Sequence, residues 1–369
     1  MHQVSPAPIT TPLQRGIVTE NRPSHQNNFD ALRLALATLV LWSHSYSLSG
    51  AESLEPLARF SSGQVDGGAI AVDGFFVISG YLITMSWMTS GSADLFLRRR
   101  IRRIYPGFLA AMAVSAVIAA VLSPTPISYV KTVLYKAETM VHSVLFLGYG
   151  LLDSDKAFPS NPLAHAVNGS LWTLQPELFC YLVVAGLGAL GLLAKCRLVL
   201  AATGLLYIVY IAQVLRLGAS PLDWTRLILY FACGSVAWLY RDRITLGNRL
   251  ATCLCGAAIV LGVFVPPVLT IVLPGAGAYL LLSLAFAHRL RVHRAAARGD
   301  LSYGVYLYAF VIQQSIASVL PVKGHPMQLF MVALPITFVA AWFSWTLVER
   351  RFVRSKPRLT IDLRVGRST

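Results

Sequence analysis

Arg33 and His44 both stand inside the first long apolar segment, Phe29 to Leu48. At about 100° per residue, the step between them closes to within roughly 20° of whole turns. On a helix both side chains would leave one face, roughly 16 Å apart along the axis. An ionisable group inside a membrane helix is expensive and ordinarily faces the protein interior or a wet cavity. A guanidinium there is suited to phosphate, and an imidazole to taking a proton near neutral pH. The bland alternative is that Arg33 snorkels to the interface and His44 is a satisfied packing residue.

Further polar groups recur at intervals. Asp73 lies in the apolar run Gly68–Leu82, where a carboxylate needs a partner, and Ser79 offers an intramembrane hydroxyl beside the small residue Gly80. The stretch Arg98-Arg99-Arg100-Ile101-Arg102-Arg103 precedes Tyr105-Pro106. Arg100 and Arg103 are three apart and share a helix face. Arginines at a helix entrance suit phosphate, although the same cluster is an ordinary orientation signal facing lipid head groups. Pro106 is expected near the start of the following helix. Glu177 follows Trp172 at the head of a later apolar run. It is expected at a depth similar to His44, where Glu177 or Asp73 would orient the imidazole as a base and its partner; the alternative is a structural ion pair.

The elements that must position these residues are membrane helices. Hydrophobic residues make up 56% of the 369 and charged residues 13%, with mean hydropathy +0.61. A soluble chain carries about 25% charged residues. The pattern predicts an all-α polytopic membrane protein with about ten transmembrane helices, near 29–48, 67–89, 105–123, 172–194, 197–215, 225–240, 250–265, 269–287, 302–320 and 327–348. Arginine-rich loops fall on one side only if the count is ten, which puts both termini in the cytoplasm. The net charge of +15 is therefore read as topology, not as a nucleic-acid signal. Residues 1–28, polar and with four prolines, are expected to be a disordered cytoplasmic tail without a cleavable signal. The transmembrane domain is expected over 29–351 and a basic cytoplasmic tail over 352–369. Residues 124–171 are expected as one long extracytoplasmic loop, with Met140–Leu152 too short to cross and re-entrant or interfacial. Cys180, Cys196, Cys233, Cys253 and Cys255 have no metal-ligand spacing and read as packing residues.

Several patterns occur in one order: Arg33-x10-His44, Gly68-x3-Val72-x2-Phe75-Phe76-x2-Ser79-Gly80, Arg100-x2-Arg103, Leu171-Trp172-Thr173-x3-Glu177, Ser302-Tyr303-x2-Tyr306-Leu307 and Leu347-Val348-Glu349-Arg350. Together they resemble the acyltransferase-3 family of bacterial integral-membrane O-acyltransferases, from about Phe29 to Arg351. The resemblance implies a multi-pass protein of the bacterial cytoplasmic membrane. It implies transfer of an acyl group, most often acetyl, from cytoplasmic acyl-CoA to a hydroxyl of an envelope or exported glycan or glycolipid. It implies that Arg33 and His44 are required, with acyl-CoA a co-substrate and no tightly bound cofactor or metal. One position departs: where the late motif commonly has histidine after Tyr-Leu-x, this chain has Ala309. His44 is therefore expected as the general base, with Asp73 and Glu177 beside it. Arg100, Arg103, Arg33 and Ser79 are expected to bind the donor. A proton-coupled transporter or flippase, which also uses intramembrane charges, and an inactive scaffold are the competing classes.

Overall fold

The computed structural model describes residues 28–90, 92–139, 150–217, 223–287 and 300–353. The regular elements among them are helices, with no strand. In chain order the main helices are α1 (Phe29–Leu48), α2 (Gly67–Ser90), α3 (Ala93–Leu122), α4 (Pro126–Thr139), α5 (Leu174–Ala189) and α6 (Cys196–Leu217). They continue as α7 (Asp223–Leu239), α8 (Arg249–Phe264), α9 (Val268–Ala285), α10 (Ser302–Val319) and α11 (Pro326–Val353). A 3₁₀ turn, Gly169–Thr173, leads into α5.

Every segment expected to span contains a helix, and among the described residues six helices are long and apolar enough to cross a membrane: Gly67–Ser90, Ala93–Leu122, Gly169–Ala189, Cys196–Arg216, Val268–Ala285 and Pro326–Val353. The other four fall short for visible reasons. α7 and α8 have 17 and 16 residues. α1 carries Asp30, Arg33 and His44, and α10 carries Gln313 and Gln314. α10 is buried along nearly its whole length. A helix enclosed by its neighbours does not need a lipid-facing apolar surface.

Some element limits differ from those expected. α3 begins at Ala93, not near 105, because Ser92 caps it by accepting from the Leu95 N–H at 3.3 Å, with Asp94 in the first turn. The arginines are thus helical, and Pro106 lies inside the helix rather than at its start. Asn28 belongs to the fold, not to a tail: it is 2% exposed, and its amide donates to Leu284 O and Ala287 O. Phe352 and Val353 close α11. The span 124–171 contains α4, whose Tyr129 donates to Leu152 O at 3.0 Å and whose Lys136 donates to Asp153 O at 2.6 Å. Asn161 and Gln314 tie the following segment to α10. Residues 1–27, 140–149 and 354–369 lie outside the described residues, and with them most of the expected tails and of the short apolar stretch.

α2 lies at the centre, packed against α1, α3, α5 and α7. Its approach to α7 is backbone on backbone. A Cβ added at Gly80 would lie 1.9 Å from Phe231 O, and one added at Gly234 would lie 2.1 Å from Val77 O. Glycine is the residue that fits such a crossing.

Candidate active site

Phe29 meets Tyr81, Leu36 meets Gly74 and Ser43 meets Gly68, so α1 and α2 run antiparallel, with the Arg33 end of α1 beside the later part of α2 and the His44 end beside its start. Two chambers follow. The arginine chamber, about 80 Å³, is lined by Arg33, Arg103, Glu177, Tyr181 and Tyr303. The histidine chamber, about 450 Å³, is lined by His44, Glu52, Glu55, Asp66, Trp172 and Arg226. Val72 and Tyr306 line both, and so stand between them. Tyr306 is fixed there: its hydroxyl donates to Ser170 O at 2.8 Å, lies 2.5 Å from Thr173 Oγ1, and its ring meets Phe75 edge-on at 5.8 Å. Arg33 lines the arginine chamber and His44 the histidine chamber.

The arginine chamber is built on an ionic cluster. Asp300, just before α10, accepts a hydrogen bond from Arg103 and lies 3.6 Å from Arg33 Nη1. Arg103 Nη1 also lies 3.5 Å from Glu349 Oε2, and its guanidinium sits 5.4 Å from the centre of the Tyr303 ring. Glu349 is 1% exposed, and its other oxygen accepts from Ser344 Oγ at 2.9 Å. Ser302 holds Asp300 in turn through its N–H and hydroxyl. Arg103 therefore enters the site already charge-compensated. Arg100, one turn earlier, lies off the chamber lining and donates to Ser86 Oγ at 3.4 Å. Arg98, Arg99 and Arg102 are exposed beside it.

The carboxylates expected beside His44 are placed differently. Glu177 accepts from Ser79 Oγ at 2.9 Å and from Tyr181 Oη at 2.5 Å, and it lines the arginine chamber. Ser79 lines neither chamber; it holds Glu177. Asp73 lies 3.6 Å from Arg226 Nη1, across the α2–α7 contact, and also lines neither chamber. Matching Glu177 with His44 by depth alone fails because the 3₁₀ turn puts Ser170 and Trp172 in the histidine chamber and sends Glu177 past Tyr306. His44 Nδ1 is buried with no hydrogen-bond partner among the described residues, and its ring meets Phe310 edge-on at 5.3 Å. Ala309 is fully buried and lines neither chamber.

Asp300 and Asp66 were not singled out in the sequence. Each stands immediately before or near a helix start, where an acid reads as an ordinary cap. No grouping of three or more potential metal ligands occurs among the described residues.

The family model for the acyltransferase-3 acyltransferase domain matches residues 26–349. The chain belongs to this family. It is an acyltransferase, built as a multi-pass membrane protein. The transporter and inactive-scaffold readings give way to that assignment. An "O-acetyl transferase" of Shigella phage Sf6 is 30% identical over 356 residues, covering 92% of this chain and all of that protein. "Nodulation protein 10" of Rhizobium leguminosarum bv. viciae is 29% identical over 386 residues, covering 93% of this chain and 98% of its own length. No solved structure matches the chain.

Proposed function

We propose that this acyltransferase moves an acyl group, acetyl by analogy with the phage relative, from acyl-CoA to a hydroxyl of an envelope or exported glycan or glycolipid at the bacterial cytoplasmic membrane. The observation that carries the reading is the pair of chambers meeting at Val72 and Tyr306, guanidinium groups in one and an imidazole in the other. The donor enters the arginine chamber from the cytoplasmic side. Arg100 and the exposed arginines of α3 meet its nucleotide phosphates. Arg33 and Arg103 line the slot taken by the pantetheine arm, and Glu177, held by Ser79 and Tyr181, faces that slot.

The acceptor occupies the histidine chamber, whose volume lies within the usual range for a small ligand. His44 takes the proton from the acceptor hydroxyl as its oxygen attacks the thioester carbonyl. The carbon–sulfur bond breaks, and the imidazolium returns the proton to the departing CoA thiolate. The work is thus divided along the path, with phosphate binding at the entrance, alignment in the slot and proton transfer beyond Tyr306. The test is reconstitution of the purified protein in lipid vesicles with acetyl-CoA and envelope polysaccharide extracted from its host cells. Free CoA should appear together with ester-linked acetyl on the polysaccharide. CoA binding with neither product would refute the reading.

A further inference from the structure

The acids that the sequence offered to His44 are engaged elsewhere, Glu177 by Ser79 and Tyr181 and Asp73 by Arg226. The histidine chamber brings its own ionisable groups: Glu52, Glu55 and Asp66, with Arg226 and Tyr306 across from them. Glu55 is committed to backbone, accepting from the Ala58 N–H with one oxygen and the Gly67 N–H with the other. Glu52 is exposed in the short turn after α1. Asp66 is exposed as well, but it stands at the head of α2. Its Oδ1 accepts from the Ala69 N–H at 2.7 Å, capping α2. The same oxygen is turned toward α1: a Cβ on Gly68 would lie 3.1 Å from it and 3.3 Å from Ser43 Oγ. Asp66, Gly68 and the residue beside His44 therefore converge at one point of the chamber wall.

We infer that Asp66 is the positioning residue for His44, the carboxylate that stabilises the imidazolium formed when the acceptor hydroxyl gives up its proton. The inference rests on His44 acting as the base. Between loss of the hydroxyl proton and its return to the CoA thiolate, a cation stands in the chamber. A fixed negative charge lining the same chamber lowers its energy, while the neutral imidazole of the resting enzyme gains nothing from it. That difference falls on the chemical step and not on donor binding.

The structural alternative is that Asp66 only caps α2, and one substitution separates the two. Asparagine caps as well as aspartate does, but it carries no charge. With acetyl-CoA and host envelope polysaccharide as probes, Asp66→Asn should keep its KM for acetyl-CoA while its kcat falls about tenfold. The rising limb of its pH–rate profile should move to lower pH. Asp66→Glu, which keeps the charge, should recover much of the rate. Asp66→Ser, a third capping residue without charge, should match the asparagine variant. Wild-type rate and pH profile in Asp66→Asn would overturn the inference. So would equal losses in the Asn and Glu variants, or losses that follow only the yield of folded protein. His44→Gln measured in parallel tells the two claims apart. An inactive His44→Gln beside a normal Asp66→Asn rejects the Asp66 role alone, and an active His44→Gln rejects the base assignment and the role built on it.

Discussion

Asp300 holds the arginine chamber together, and replacing it should cost a calculable amount. Its carboxylate takes a charge-assisted hydrogen bond from Arg103, contacts Arg33 at 3.6 Å and accepts from Ser302. The side chains of Arg103, Arg33 and Asp300 are 23%, 24% and 18% exposed, so screening by water is limited but present. The Arg103 bond is worth about 1.5–3 kcal/mol. The Arg33 contact is beyond hydrogen-bond length and adds about 0.5 kcal/mol. Asp300→Asn keeps an acceptor for Arg103 and Ser302 but loses the charge, so it should destabilise by about 1–2 kcal/mol, because neutral bonds are roughly half as strong. Asp300→Ala loses the acceptor too and should cost about 3–4 kcal/mol. Arg103→Gln should cost at least as much, since it strips the main partner from Asp300 and from the buried Glu349 together. The assay is reversible unfolding of the purified protein in mixed micelles with increasing denaturing detergent. A double-mutant cycle between Asp300→Asn and Arg103→Gln should return a coupling of about 1 kcal/mol or more. No loss in Asp300→Ala, or zero coupling in the cycle, would refute the cluster as a source of stability.

Glycine substitutions on two helices should have opposite signs. Gly80→Ala drives a Cβ into Phe231 O and should destabilise by about 1–3 kcal/mol or more, whereas Gly186→Ala meets nothing within 4 Å and should stabilise by up to about 1 kcal/mol in the same unfolding assay. Arg100→Gln should weaken acetyl-CoA binding, measured by calorimetry, by about 1.5–3 kcal/mol without the loss of stability expected for Arg103→Gln; equal affinity would leave Arg100 a topology signal only. A cysteine introduced at Asp155, which is exposed, should react with an impermeant thiol reagent in intact cells, and protection until lysis would reverse the assumed orientation of the 124–171 segment.

Helices were legible in the sequence wherever apolar runs were long. α1 matches its expected limits at both ends, and the interior of α2 follows the small-residue reading down to Gly80. The start of α3 was hidden because a run of arginines looks like a loop, although Ser92 and Asp94 before it are an N-terminal signal. Arg33 and His44 were legible because charge in an apolar run is rare. Their partners were not. Sequence fixes depth along a helix but not which of several acids at one depth a rotation brings inward, so Glu177 was matched to His44 when Tyr306 separates them. Asp300 escaped notice because an acid ahead of an apolar helix has an ordinary explanation, and its contact with Arg103 spans nearly two hundred residues of chain. Tyr306 was visible as part of a motif, but its standing between two chambers depends on the turn Gly169–Thr173, which no local pattern announces.

Everything proposed for the histidine chamber depends on His44 moving the acceptor's proton, and the rate of CoA release by His44→Gln probes that step. Glutamine keeps the size and the hydrogen bonding but cannot take up a proton. At matched protein levels in vesicles, with acetyl-CoA and host envelope polysaccharide, the rate should fall by about 10²–10⁴-fold with acetyl-CoA affinity unchanged. A His44→Gln protein that releases CoA and acetylates the polysaccharide at the parental rate would contradict a proton-transfer role for this residue.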